Sequence, residues 1–394
     1  MTDSVYLAPP TQEAIHQDLQ SVFRAGVKLA LELALEQEIR AIVGADKWQR
    51  FQKGRRATRN GTYLRSLLTS VGLLEVSVPR TRDRGSACGV IGRYERRAEE
   101  INDAIVSAYV HGVSTRNMGD VTQSLLGENV SRSTVSRVTK TLEEQVEALR
   151  SSAITDPIVY LYLDATFLDA RWARAVENVS ALVAYGVDQS GHRRLLGVTI
   201  GAEESEDSWA ELLEQLLSRG LKGVKLVIAD AHAGIAKAVR RLLPEARQQR
   251  CVVHLQRNVF GKAPRRLRRR LASSMREIFR APSLKDARQR LDELAQGLGK
   301  QVPEALAVLL DGFPAATQFY AFPRAHWTAL RTTNGIERLH AEIKRRTRSV
   351  GAFPDRASAL RLVTAVALDV ATQWRRQRYV VMSEEVKAEL AKVA

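Results

Sequence analysis

Cysteine is nearly absent. Cys88 and Cys251 are the only two in 394 residues, too few for a disulfide framework, so a reducing cytoplasm is the expected compartment. Long apolar runs are missing too. Nothing approaches the roughly 18 consecutive apolar residues of a membrane-spanning helix, and no membrane association is expected. The first residues, Met1-Thr2-Asp3-Ser4, lack a basic stretch followed by an apolar block, so no secretory signal is read there. No internal repeat or low-complexity tract is found. Acid is scarce relative to base: 44 Asp and Glu stand against 60 Lys and Arg, a formal net charge of +16. That excess must face something, and the partners it allows are nucleic acid or an anionic membrane surface. The hydrophobic content, 45%, is enough to bury real cores, and the length allows two to four domains.

Against this basic background three acids stand out by position. Asp164 follows the apolar run Val159-Tyr160-Leu161-Tyr162-Leu163, and Asp230 ends Lys225-Leu226-Val227-Ile228-Ala229. Glu337 lies in Thr332-Thr333-Asn334-Gly335-Ile336-Glu337, where a helical pattern opens. Strand alternation puts Tyr160, Tyr162, Asp164 and Thr166 on one face and Leu161, Leu163, Ala165 and Phe167 on the other. Ile336, Leu339 and Ile343 form an apolar stripe from which Glu337 is offset. Singly, an acid at a strand end is more often a turn or cap residue. Three in this order suit divalent metal ions, which relieve the repulsion between converging carboxylates. Mg²⁺ favours oxygen ligands, and two such ions about 3.5–4 Å apart activate an attacking oxygen and stabilise a leaving one. In that reading Asp164 bridges two Mg²⁺ ions, with Mn²⁺ as an alternative, while Asp230 and Glu337 hold one each. Asp169, Asp188 and Glu342 read as surface acids.

The rest of the chain divides by periodicity. Residues 11–45 are helix-like, with Leu19, Val22, Phe23, Val27 and Leu31 recurring at helical spacing. The stretch from Lys53-Gly54-Arg55-Arg56 to Asn60-Gly61 is basic and turn-prone. Tyr63 to Leu68 and Leu73 to Pro79 read as a β-ribbon, with Pro79 at an end or edge, followed by Arg80, Arg82 and Arg84. From Asn102 to Arg150 the pattern is helical, with a hydroxyl-capped start at Gly112-Val113-Ser114-Thr115. A turn at 125–130 precedes a helix offering Arg132, Ser133, Thr134, Ser136 and Arg137. This is either a helix-turn-helix that reads DNA or a plain helical hairpin with capping serines, and the charge favours DNA. Asp156-Pro157 marks a boundary. Beyond it come strands at 158–167, 180–187 and 193–200, then a helix at 208–217 capped by Asp207 or Ser208. Next are a strand at 226–229, a helix from Ile235 to Leu243 stopped by Pro244, and a short strand at Cys251-Val252-Val253-His254. The early strands should be antiparallel and the later unit parallel, which is a ribonuclease H-like order.

From Leu255 to Pro323 strand signals vanish and the stretch reads as a helical insertion, basic at first: Arg257, Lys262, Arg265, Arg266, Arg268, Arg269, Arg270 and Arg276 precede the first acid, Glu277. The candidate phosphate contacts are Lys262, Arg265, Arg266 and Arg269. Helices at 337–346 and 356–379 follow, then a loose helix or tail. Cys251 and His254 form a C-x-x-H pair, half of a zinc site; no second pair follows, so a structural role near the site is expected. His232, His326 and His340 are isolated, and Trp327 reads as a core residue.

Several segments carry a family likeness: Tyr162-Leu163-Asp164-Ala165-Thr166, Ala229-Asp230-Ala231-His232-Ala233-Gly234, Gln249-Arg250-Cys251-Val252-Val253-His254-Leu255-Gln256-Arg257-Asn258 and Arg331-Thr332-Thr333-Asn334-Gly335-Ile336-Glu337-Arg338. Arg59-Asn60-Gly61-Thr62-Tyr63, Val78-Pro79-Arg80-Thr81-Arg82, Gly112 to Arg116 and Gly351-Ala352-Phe353-Pro354 fit as well. Over roughly residues 30 to 375 the chain resembles bacterial insertion-sequence transposases of the IS256 family, relatives of Mutator-like transposases. The resemblance implies a DDE transposase, with the catalytic roles on Asp164, Asp230 and Glu337 and an all-helical insertion before the glutamate. It also implies binding to terminal inverted repeats and target DNA, a homodimer or larger synaptic complex, and a cytoplasmic, nucleoid-associated bacterial protein. His340 departs from the Asn of many relatives.

The expected fold class is α/β, a ribonuclease H-like mixed sheet interrupted by helices and preceded by helical and helix-turn-helix-like domains. The expected organisation has six parts. Residues 1–100 form a helical and β-ribbon region for DNA binding or dimerisation, and 101–152 a helix-turn-helix-like domain. The core's first part spans 153–255, the insertion 256–328, the final core helices 329–380 and the tail 381–394. The competing functions are a ribonuclease H-like nuclease without strand transfer and a non-catalytic DNA-binding regulator.

Overall fold

Helix α1, Gln12–Val43, opens the described part of the chain in a computed structural model that describes residues 12–49, 57–82, 89–92, 95–172, 175–374 and 376–393. Residues 53–56 of the expected turn-prone stretch, Arg84, Cys88 and the first four residues lie outside the described residues, and the end of that stretch, from Arg59, is strand instead. The chain divides into two compact units, Met1–Thr139 and Lys140–Ala394.

In the first unit Val27, Leu31 and Leu35 lie four residues apart on α1 and pack with Leu67, Leu74, Val76 and Val78 of a two-stranded antiparallel ribbon. Its strands are β1, Arg59–Thr69, and β2, Gly72–Thr81. Pro79 pairs with Thr62, and because each strand of a two-stranded ribbon keeps an open edge, its missing N–H is tolerated. Leu19, Val22 and Phe23, expected on the same buried stripe as Val27, are instead exposed. Helices α2 (Glu99–Val110), α3 (Met118–Leu126) and α4 (Arg132–Val138) follow. The helix expected from 112–115 starts later, at Met118; the Ser114 hydroxyl accepts the Asn117 N–H at 3.3 Å in the turn that leads into it. Ser131 caps α4, its hydroxyl accepting the Thr134 N–H at 3.3 Å.

The second unit opens with α5, Leu142–Ser151, a helix that the expected boundary at 152 grouped with the preceding ones. Then come β3 (Ile158–Trp172), β4 (Ala175–Asp188), β5 (Arg193–Gly201), α6 (Glu206–Ser218), β6 (Leu226–Ala229), α7 (Ala233–Leu242) and β7 (Arg247–Arg250). They form a five-stranded sheet in the order β5-β4-β3-β6-β7. The β3–β4 and β4–β5 pairs are antiparallel, and β3–β6 and β6–β7 are parallel. Alternation along β3 sorts its side chains as expected. Leu161 and Leu163 enter a core with Trp209, Leu212 and Leu216 of α6 and Ile235 and Val239 of α7. Tyr160 and Tyr162 take the opposite face, where Tyr162 stacks on Tyr185 at 4.5 Å between ring centres.

Three local readings are corrected. Ser205, not Asp207 or Ser208, caps α6, accepting the Ser208 N–H at 3.2 Å. Asp188 is a buried acid, not a surface one, because it organises the β4–β5 turn. The last strand is the polar Arg247–Arg250, and Cys251 starts α8, Val252–Lys262. An edge strand pairs on one side only and needs little apolar sequence, whereas Val252, Leu255 and Val259 are buried at helical spacing.

Among the described residues no strand follows Arg250. The helices are α9 (Arg265–Phe279), α10 (Leu284–Leu298), α11 (Pro303–Ala316), α12 (Trp327–Leu330), α13 (Asn334–Thr347), α14 (Arg356–Trp374) and α15 (Glu384–Ala391). Helix α14, expected to reach Tyr379, stops at Trp374. It lies on the tyrosine face, with Trp374 5.2 Å from the Tyr185 ring, and α5 packs on it through an Arg361–Glu143 ion pair of 2.6 Å. No helix among the described residues is long and apolar enough to cross a membrane.

Candidate active site

Strand register brings the two aspartates level. Tyr162 of β3 pairs with Ile228 of β6 in parallel, and Asp164 and Asp230 each lie two positions further on (164 − 162 and 230 − 228). Neighbouring strands run about 4.8 Å apart, so Asp164, midway along β3, and Asp230, just past the end of β6, stand side by side where the β3–β6 pairing stops. Asp164 is 7% exposed; its Oδ1 accepts the Ala165 N–H at 3.1 Å and its Oδ2 lies 3.4 Å from Nδ1 of His340. Oδ1 of Asp230 accepts the Ala231 N–H at 2.6 Å.

Glu337 comes from the first turn of α13. The Thr333 carbonyl accepts the N–H groups of Ile336 at 2.8 Å and Glu337 at 2.9 Å, while Ile336, Leu339 and Ile343 bury the opposite stripe. The turn sits close to the sheet: a Cβ on Gly335 would fall 2.7 Å from the Tyr185 hydroxyl oxygen, so this approach requires glycine. Oε1 of Glu337 is 3.1 Å from the Arg257 guanidinium and 3.7 Å from Nε2 of His254.

Cys251 ties these parts together. Its N–H donates to the Ala229 carbonyl at 2.8 Å, beside Asp230, and its sulfur accepts from the Thr333 N–H at 3.4 Å and the Thr333 hydroxyl at 3.2 Å. The next N–H, of Val252, reaches the Arg331 carbonyl at 2.9 Å. One buried residue thus joins the end of β6, the start of α8 and the start of α13. Burial alone would raise the Cys251 thiol, but its contacts with His254 and Thr333 outweigh that and hold it below the ordinary thiol value. His254 is raised to about 9, chiefly by the thiol and against its own burial, with added support from the charges of Asp230 and Asp164. His254 thus lies between the Cys251 thiol and Glu337.

The acids are balanced here by protein charges. Among the described residues no three His, Cys, Asp or Glu side chains are grouped closely enough to hold a metal ion. Arg257 was not singled out as a site residue in the sequence. Its signal was present: it lies three positions after His254, hence on the same face of α8. His326 packs in the core, bonding Tyr160 at 2.7 Å and the Val381 carbonyl at 2.8 Å. His232 caps α7, and Trp327 is half-buried, donating to the Phe322 carbonyl at 2.7 Å.

The candidate DNA-binding side chains fall on α4, α8 and α9. On α4, Arg132, Ser133 and Arg137 are exposed, while Thr134 is half-buried and takes a bond from the Ser131 hydroxyl at 3.1 Å. Lys262 ends α8 within 3.6 Å of Glu304. Arg265, Arg266 and Arg269 are exposed on α9, whose other face buries Leu271, Met275 and Ile278. The first turn of α9 holds no acid, although a helix N-terminus favours negative charge.

The family model described as Transposase, Mutator family, matches residues 4–377. The transposase for insertion sequence element ISRM5 of Rhizobium meliloti is 35% identical over 365 residues, covering 92% of this chain and 91% of the relative. The IS406 transposase of Burkholderia multivorans is 36% identical, covering 88% and 90%. The IS256 transposase in transposon Tn4001 of Staphylococcus aureus is 33% identical, covering 91% and 94%. By family match and by near full-length likeness to these relatives, the chain belongs to the Mutator family of transposases.

Proposed function

We propose that this DNA transposase cleaves the ends of an insertion sequence and joins their 3′-hydroxyls to target DNA at a centre made of Asp164, Asp230 and Glu337. The observation that carries the reading is the register that sets both aspartates level where the β3–β6 pairing stops, with α13 bringing His340, one turn after Glu337, against Asp164. The mixed sheet order, with helices α8 to α12 inserted between β7 and α13, supports a ribonuclease H-like core. The donor set is of the kind a hard divalent cation takes, carboxylate oxygen throughout, and Oε1 of Glu337 is buried without a well-formed hydrogen bond; the carboxylates must draw closer together than they stand here to share an ion. Asp164, Asp230 and Glu337 would hold two Mg²⁺ ions, with Mn²⁺ as substitute, which when bound polarise a phosphodiester and favour attack by water or a 3′-hydroxyl.

The chain's own residues supply the setting. His340 lies beside Asp164, and Arg257 and His254 lie beside Glu337, so basic side chains of the chain itself line the site. From the site, α8 leads into α9, so Arg257, Lys262, Arg265, Arg266 and Arg269 form a basic track suited to backbone phosphates. Arg132, Ser133, Thr134 and Arg137 of α4 serve as the reading head for terminal inverted repeats, in the manner of a recognition helix. A homodimer or larger synaptic complex would hold two ends at once.

The test is a joining assay with a labelled terminal fragment, target plasmid and Mg²⁺. Wild type should cleave and join, and Asp164→Asn should bind the fragment as tightly yet do neither. Cleavage without joining would favour a plain nuclease, and equal cleavage by both proteins would remove Asp164 from the centre.

A further inference from the structure

Helix α1 carries a second apolar face, which stays open among the described residues. Val27, Leu31 and Leu35 turn to the ribbon, whereas Leu19, Val22, Phe23, Leu29 and Leu33 are each 50–67% exposed. Steps of three and four residues place these five, with Gly26 and Ala30, in one stripe along the helix. Apolar side chains exposed singly need no explanation, but a contiguous stripe of this size marks a contact surface. A phosphate backbone or an anionic membrane would be met by cations, and this stripe holds no Lys or Arg. Arg24 turns away to the ribbon, donating to the Val71 carbonyl at 2.7 Å, and Lys28, one turn on, is half-buried.

The stripe is symmetric about Gly26. Leu19 and Leu33 lie seven residues to either side of it, Val22 and Ala30 four, and Phe23 and Leu29 three. A copy of the helix laid antiparallel, with the two glycines at the crossing, therefore sets every apolar residue against an apolar counterpart. Leu19 meets the partner's Leu33, and Phe23 meets the partner's Leu29. Such a contact is self-complementary, as a two-fold interface must be. Gly26 points the same way. Glycine is unfavourable inside a helix, and a Cβ there would meet nothing within 4 Å, so nothing described in this chain requires its absence. A second backbone crossing at that point does require it. Two copies joined in this way bury roughly 1,000 Å² in total, the size at which a specific interface begins.

We propose that this face of α1 is a dimer interface, occupied by the same face of a second copy of the chain in an antiparallel, two-fold crossing at Gly26. The contact gives the homodimer a surface and does not depend on the three acids, so it is tested without DNA or metal. Sedimentation equilibrium of the full chain should show a monomer–dimer equilibrium. Val22→Glu combined with Leu29→Glu should weaken dimerisation about a hundredfold or more. Both side chains are exposed within one copy, so the variant should keep the helical circular dichroism of the wild type. Gly26→Leu separates close pairing from a merely adhesive face. It adds apolar surface, which would tighten unspecific association, but should weaken the crossing about tenfold or more. Leu19→Cys and Leu33→Cys proteins, each also carrying Cys88→Ser, should cross-link to one another when mixed and oxidised. A monomeric wild type, a dimer that the paired Glu substitutions leave intact, or tighter association in Gly26→Leu overturns the proposal. If the paired Glu substitutions weaken DNA binding by a monomeric chain instead, the face belongs to DNA.

Discussion

Asp188 and Asp164 lie on paired strands, both buried, and differ in what surrounds them. Asp188 is saturated: Oδ1 accepts from the Ser190 N–H at 2.9 Å, the Ser190 hydroxyl at 2.5 Å and the His192 N–H at 3.1 Å, and Oδ2 takes the Arg194 guanidinium at 2.7 Å. Burial pushes its carboxyl up, but those bonds outweigh burial and hold it below the ordinary carboxylate value. Asp164 has one backbone bond and a histidine at 3.4 Å, so it is far from saturated. Asp188→Ala should cost about 2–4 kcal/mol at neutral pH, since it strands several buried donors. Because the folded carboxyl lies below its unfolded value, its contribution is full above the ordinary carboxylate range and fades as pH falls through the folded value. Unfolding curves of both proteins at neutral and acid pH check this: the gap should narrow in acid, and a constant gap would mean that the charge does not matter.

At the scale of elements, periodicity carried most of the fold. The run from Val159 to Leu163 showed both faces of β3 because its alternation of Leu and Tyr is strict, and the helix–strand–helix order after Gly201 was legible from periodicity as well. Elements without such a pattern were misplaced. Strand β7 has four polar residues and betrays itself only by pairing with β6, so the neighbouring apolar pair Val252-Val253 drew the strand to itself although it begins α8. The exposed Leu19, Val22 and Phe23 fit the helical spacing as well as the buried Val27 and Leu31, since α1 is apolar on more than one side and spacing alone cannot choose between them. In the candidate site the three acids were visible from their places beside apolar runs and a helix start, although Asp164 lies within β3 and not at its end. Their basic neighbours were less so: Arg257 and His340 meet Glu337 and Asp164 only through the packing of α8 and α13.

Across the whole molecule a net charge of +16 sets how it meets DNA. In the second unit the exposed arginines of α9 follow directly on the helix that starts at the acids, and their own turn offers no carboxylate to neutralise them. Replacing Arg265, Arg266 and Arg269 by Gln should flatten the dependence of log affinity on log salt by about 0.9 for each phosphate that is no longer neutralised. An unaltered slope would make that face a merely solvated one. The most direct measurement concerns the acids acting as one centre. Cleavage rates of Asp164→Asn, Glu337→Gln and the double variant, at matched DNA occupancy, should each fall by about a thousandfold or more, with the double variant no slower than the worse single one. Losses that multiply in the double variant, or a single variant that cuts at the wild-type rate, would contradict a shared centre.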